Sequence, residues 1–211
     1  MNETTSRTRL ILVRHGATAW TESGRYQGST TDIPLSAAGR SHARCIAAAL
    51  EPVRLVEIAC SPLRRALETA TCIAAPRGLT ATPVPAFREV SLGDWEGLTS
   101  SEAGARNPEL HSQWHRSPGT VRPPGGETLQ EAAERTIAAL DALIARRAGK
   151  KVVCVMHNLI IRLLVCHALG VGLATVGRIR CQPGSISIID IRAGQHTVRV
   201  LNDTCHLSAA L

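Results

Sequence analysis

Short apolar runs alternate with segments of helical period along this chain, and that alternation most narrows what it can fold into. Leu10–Val13, Leu55–Cys60 and Val152–Met156 are too short for helices and almost wholly apolar. Strands of that kind are buried on both faces, as in a parallel sheet covered by helices. Between them, Ser36 can cap a helix that reaches about Leu50 and is ended by Pro52. Ser61-Pro62 reads as an N-cap with Pro at the first helical position, opening a helix from about Leu63 to Ala75. Thr128 and Glu131 can box the start of a helix to about Arg147, with Leu129, Ala133, Ile137, Leu140 and Ile144 on one face. Another helix runs from near Asn158 to about Leu169. Val84–Phe87 reads as an edge strand beside Pro83 and Pro85, and Ser185–Ile191 and Thr197–Leu201 close the sheet.

This order predicts an α/β fold of three layers, α/β/α, with a mostly parallel central sheet. The 211 residues suit one domain over 1–211. From about residue 88 to 126 the chain changes character. It gathers Pro, Gly and most of the remaining aromatics around one short helix boxed by Thr99 and Glu102, and reads as a small helical lid inserted over the sheet.

Aromatic residues are only 2% of the chain, so aliphatic side chains carry the core and no base-stacking platform is available. The formal net charge of +7 attracts anions, but the arginines are scattered and form no basic arm. A small phosphorylated metabolite is the expected partner, and nucleic acid is not. Seven widely spaced cysteines without a Cys-x-x-Cys pair read as reduced, mostly buried thiols, which suits the cytoplasm. Neither a signal-peptide apolar region nor a membrane-length run is expected to anchor the chain. The sequence leaves the oligomeric state open, a homodimer included.

Two of the apolar strands end in histidine, at Arg14-His15-Gly16 and at His157, and a third ends just before Ser61-Pro62-Leu63-Arg64-Arg65. Ligands in open α/β sheets bind at the carboxyl ends of strands. If these three strands are parallel neighbours, Arg14, His15, Arg64 and His157 converge on one point. Two guanidiniums, two imidazoles and two helix N-termini make a cage for a phosphate. Taken singly, a strand-end histidine is usually a hydrogen-bonded structural group and Arg64-Arg65 a solvated face; the joint placement decides for function. His111 and His115 have the i, i+4 spacing of helical metal ligands, but no third ligand lies near. A surface or lid-packing role is expected for them, and neither metal nor cofactor is implied.

The chain resembles the histidine phosphatase superfamily, the phosphoglycerate-mutase-like enzymes. The resemblance rests on Leu12-Val13-Arg14-His15-Gly16-Ala17-Thr18-Ala19-Trp20, Gly24-Arg25-Tyr26-Gln27-Gly28, Pro34-Leu35-Ser36 through Gly39, Ser61 through Ala70, Arg88 through Gly97, Val155-Met156-His157 and Leu201 through Leu207. It implies a phosphoglycerate-mutase-like fold. By resemblance His15 is a nucleophile phosphorylated on a ring nitrogen, and Arg14, Arg64 and His157 hold the phosphoryl oxygens. Glu89 then protonates the leaving oxygen and later activates water, with Asp94 and Glu96 as competing carboxylates. Arg25, Gln27 and Gly28 are candidate substrate contacts. So are Thr21, where family members often carry Asn, and Asn158, where many carry Gly. The closing Asn-Asp-Thr-x-His-Leu resembles the broad-specificity and α-ribazole phosphatases. Hydrolysis of small phosphomonoesters is therefore favoured over a bisphosphoglycerate-dependent mutase, and over a non-catalytic phosphate-binding protein.

Overall fold

A computed structural model describes residues 6–210. The chain runs through β1 (Thr8–Arg14), α1 (Ala19–Glu22), α2 (Ala37–Ala49), β2 (Glu57–Cys60), α3 (Arg64–Ala74) and β3 (Ala81–Pro83). It continues through α4 (Ser100–Arg106), α5 (Pro108–Arg116), α6 (Leu129–Arg146), β4 (Lys151–Met156), α7 (Asn158–Leu169), β5 (Ile186–Arg192) and β6 (Gln195–Asp203). The six strands form one sheet in the order β3-β2-β4-β1-β5-β6. The first four in that order are mutually parallel, β5 runs antiparallel to β1, and β6 runs antiparallel to β5.

Period-two alternation divides the apolar strands between two cores. Ile11, Val13, Ile58, Cys60, Val153 and Val155 pack with Ile46 of α2 and Ala66, Ala70 and Ile73 of α3. Leu10, Leu12, Ala59, Val152, Cys154 and Met156 pack on the other face with Leu129 and Leu140 of α6 and Ile160 and Leu164 of α7. The sheet is thus covered on both faces, as the unbroken apolar runs require. Capping boxes start α4 at Thr99/Glu102 and α6 at Thr128/Glu131. Among the described residues no helix is long and apolar enough to cross a membrane.

Three local expectations are corrected. The edge strand is Ala81–Pro83, and Pro85–Phe87 is a 3-10 turn, because two prolines without N–H groups cannot extend the ladder. Helix α3 begins at Arg64, after Leu63 rather than Ser61; the Asp32 carboxylate accepts the Arg64 N–H at 2.6 Å and supplies the missing cap. The segment after Phe87 holds a second helix, α5, led by Pro108.

Candidate active site

Strands β1 and β4 are neighbours in register, Arg14 opposite Met156, and the His15 N–H extends the ladder to the Met156 carbonyl at 3.1 Å. The two strand-end histidines therefore stand side by side, with ring centroids 5.1 Å apart. Beyond His15 the chain turns tightly onto the start of α2. A Cβ on Gly16 would lie 2.3 Å from the Gly39 carbonyl oxygen, and one on Gly39 would lie 1.9 Å from that of Ala17. Both positions admit only glycine.

His15 is buried, and its Nδ1 lies 2.7 Å from the Gly16 carbonyl oxygen. A carbonyl only accepts, so Nδ1 carries the proton and Nε2 keeps its lone pair. Burial, then Arg65 and Arg14, hold the ring well below its ordinary pKa, so the imidazole is neutral. His157, the residue before α7, is fully buried, and neither ring nitrogen has a partner among the described residues. Burial and the charges of Arg65, His15 and Arg14 depress it as well.

The structure brings Arg65 into this cage and leaves Arg64 outside it, which corrects the sequence expectation. Arg65 is fully buried, donating to the Thr31 carbonyl at 3.1 Å and the Gly28 carbonyl at 2.7 Å, with Nε unpartnered. Its pKa is lowered to about 10 by burial. The Arg64 side chain is 60% exposed and pairs with Glu68 one helical turn on. The signal was present in the sequence. Arg65, Thr69 and Ile73 fall on one helical face with small and apolar residues, whereas Arg64 and Glu68 form an i, i+4 ion pair of the kind found on solvated faces.

Arg14 donates to the Cys181 carbonyl at 2.5 Å and leaves its Nε without a partner. Neither Arg14 nor Arg65 forms an ion pair with a carboxylate among the described residues. Glu89 is buried at the same place, its oxygens accepting the N–H groups of Val90 at 3.0 Å and of Leu159, in the first turn of α7, at 3.2 Å. Burial raises its pKa, opposed by those two hydrogen bonds and by Arg65 and Arg14. Of the rival carboxylates, Glu96 is committed to the backbone, accepting from the N–H groups of Ser29, Thr30, Thr31 and Leu92. Neither Glu96 nor Asp94 lines the cavity.

That cavity has a volume of about 460 Å³, and Arg14, His15, Arg65 and Glu89 are among the residues that line it. Thr21, Arg25, Gln27, Gly28 and Asn158 also line it. Their side chains are differently engaged. The Thr21 hydroxyl is spent locally, accepting from Thr18 N–H at 2.8 Å and donating to the Thr18 carbonyl at 2.9 Å. Arg25 is tied to the Gly97 carbonyl at 2.6 Å and Glu102 at 3.0 Å. Gln27 keeps a buried Oε1 without a partner. Sequence reasoning missed Arg162, which also lines the cavity from α7, one turn beyond Asn158, and donates to the Val176 carbonyl.

His111 packs against Trp95 and meets Tyr26 Oη at 3.1 Å, and its Nε2 lies 3.3 Å from that of His115, which reaches the cavity wall. Burial pushes the Cys60 thiol up to about 12, so this neighbour of the site stays protonated and unreactive.

A family model for the histidine phosphatase superfamily (branch 1) matches residues 10–204. Phosphoserine phosphatase 1 of Hydrogenobacter thermophilus is 34% identical over 199 residues, 94% of each chain. A probable phosphoglycerate mutase, GpmB, of Yersinia pestis is 30% identical over 203 residues, again 94% of each. The solved structure of mycobacterial glucosyl-3-phosphoglycerate phosphatase superposes with a TM-score of 0.86 at 29% identity, over 93% of this chain and 99% of that one. The chain belongs to the histidine phosphatase superfamily, branch 1, and is a phosphoric monoester hydrolase.

Proposed function

We propose that the chain hydrolyses small phosphorylated metabolites in two steps, with His15 carrying the phosphoryl group between them. The observation that carries this reading is the His15 ring itself. It is neutral and buried, its tautomer is set by the Gly16 carbonyl, and it lies among cations that have no carboxylate partner. Phosphoserine, the glucosylated phosphoglycerate and the α-ribazole phosphate type are substrates of the relevant size, and a cavity of about 460 Å³ holds such a molecule.

In the first step His15 Nε2 attacks phosphorus in line, the N–P bond forms and the ester P–O bond breaks. Glu89, whose pKa burial raises, gives its proton to the departing oxygen. Arg14, Arg65 and an N–H of His157 hold the equatorial oxygens, and their preorganised charge stabilises the transition state. In the second step the Glu89 carboxylate takes a proton from water, the oxygen attacks phosphorus, and the N–P bond breaks. Neutral His15, protonated Glu89 and inorganic phosphate result.

With an aryl phosphate, acid-labile phosphate trapped on His15 by base quench, and its absence in His15→Ala, supports the scheme. Wild-type turnover in His15→Ala sinks it. Turnover of phosphoglycerate with and without 2,3-bisphosphoglycerate separates hydrolysis from transfer to a second substrate. Isomerisation that requires the bisphosphate would make the chain a mutase. The cytoplasm is the proposed compartment, in keeping with seven unpaired cysteines.

A further inference from the structure

The closing motif Asn202-Asp203-Thr204-Cys205-His206 does not line the cavity, yet two of its side chains lead back to the nucleophile. Asn202 stands at φ 54°, a left-handed conformation that Asn tolerates better than most residues. Its Oδ1 accepts the Gln182 N–H at 2.6 Å. His206 Nε2 lies 3.0 Å from the Gly184 carbonyl oxygen, which can only accept, so Nε2 is the donor. Both contacts fall on the turn Cys181–Ser185, which the Ser185 N–H closes onto the Gln182 carbonyl at 3.0 Å.

That turn holds the end of β1 from four directions. The Cys181 carbonyl takes the Arg14 guanidinium, and the Ser185 carbonyl takes the Arg14 N–H at 3.0 Å. The single Gly184 N–H is shared by the carbonyls of Arg14 at 3.2 Å and His15 at 3.0 Å. Gly184 has φ 78°, and a Cβ there would stand 3.1 Å from the Cβ of His42, so α2 lies close behind the turn. Pro183, in the same turn, lines the cavity.

We propose that Asn202 and His206 form a positioning clamp: they fix the Cys181–Ser185 turn, and the turn fixes the Arg14 guanidinium and the backbone of His15. Neither residue touches the reacting atoms. Their effect is on the geometry of attack, where a displacement well under the length of a bond costs rate steeply. The catalytic consequence rests on His15 being the phosphoryl acceptor.

The test is carried out on the full chain with His206→Ala, His206→Gln and Asn202→Ala. Gln places an amide donor where the imidazole Nε2 stood. Rapid-quench rates of phosphohistidine formation from an aryl phosphate, normalised to folded protein, are compared with the imidazole ¹⁵N signals of His15 in the ligand-free protein. His206→Ala and Asn202→Ala should slow phosphorylation about tenfold and move or broaden the His15 signals, while His206→Gln stays within about twofold of wild type. Unchanged rates and signals in both alanine variants overturn the clamp, as does a Gln variant no better than Ala. If an alanine variant fails to fold, the Gln variant and the other alanine variant decide. If the wild type itself forms no phosphohistidine, the proposed mechanism falls, and the clamp is judged on the His15 signals alone.

Discussion

Arg64 and Arg65 are neighbours in sequence and opposites in place. One is mostly exposed on a helix face, and the other is sealed beneath the loop carbonyls of Gly28 and Thr31. Arg65→Ala should therefore lower kcat for an aryl phosphate on the order of a hundredfold or more, the usual cost of losing one donor to a developing oxyanion. Arg64→Ala should leave kcat within about twofold and stability within about 0.5 kcal/mol, since it removes an exposed i, i+4 ion pair. Equal losses in the two variants would return Arg64 to the site. Glu89 invites a chemical test, because a proton donor matters only when the leaving oxygen is basic. Glu89→Gln should slow alkyl phosphates by about a hundredfold or more and nitrophenyl phosphate much less in the first step. It should also remove the alkaline fall of kcat/KM, since the raised Glu89 pKa marks the limb where the acid form is lost as pH rises. A uniform loss across leaving groups, with the pH profile unchanged, would place the acid elsewhere.

At the level of elements, the strands and long helices were legible because their signals are local. Four-residue apolar runs, Thr–Glu capping boxes and the Ser36 cap each act through residues within a turn of one another. The pairing of β1 with β4 was legible only as a condition, through the histidine at each end. The parts that sequence reasoning placed wrongly depend on distant partners. The start of α3 is set by Asp32, thirty-two positions away, and the burial of Arg65 by carbonyls in the loop after α1. Arg162 escaped notice because a cation on a mostly apolar helix gives no local hint of what it will face. One packing relation between elements gives a sharp prediction. Gly39→Ala forces a methyl group into the Ala17 carbonyl, so α2 or the residues after His15 must move. The expected loss is about 1–3 kcal/mol of stability, together with a fall in kcat that exceeds any fall in folded fraction. Ala38, one position earlier and exposed, is the control: Ala38→Ser should change neither. Urea midpoints and folded-site kcat measured on both variants check this, and a Gly39→Ala enzyme with normal midpoint and turnover would refute the close approach.

For the whole molecule, the site stores a dependence of folding on pH. His15 and His157 both titrate well below their ordinary value of 6.5 in the fold, chiefly through burial and then through the neighbouring arginines. A lowered folded pKa means that the unfolded chain takes up the proton first. Their contribution to stability is therefore present above pH 6.5 and declines as pH falls below it, by up to about 1.4 kcal/mol per pH unit for each ring. Glu89 acts in the opposite sense. Its raised folded pKa makes its contribution largest in acid and loses it as pH climbs from 4.5 through the folded value. Because several groups overlap, the total slope is less informative than its change on substitution. His157→Gln keeps a hydrogen-bond donor in the cage but removes one titrating ring. Urea unfolding at pH 7.5 and 5.5 should show the variant losing less stability between the two values than wild type does, by about 1 kcal/mol. Inorganic phosphate should stabilise both proteins by binding only the folded cage, about 2.7 kcal/mol at a hundred times its Kd. Identical pH slopes for the two proteins would mean that His157 takes up its proton over the same pH range in the folded and the unfolded chain, so that the fold does not lower its pKa.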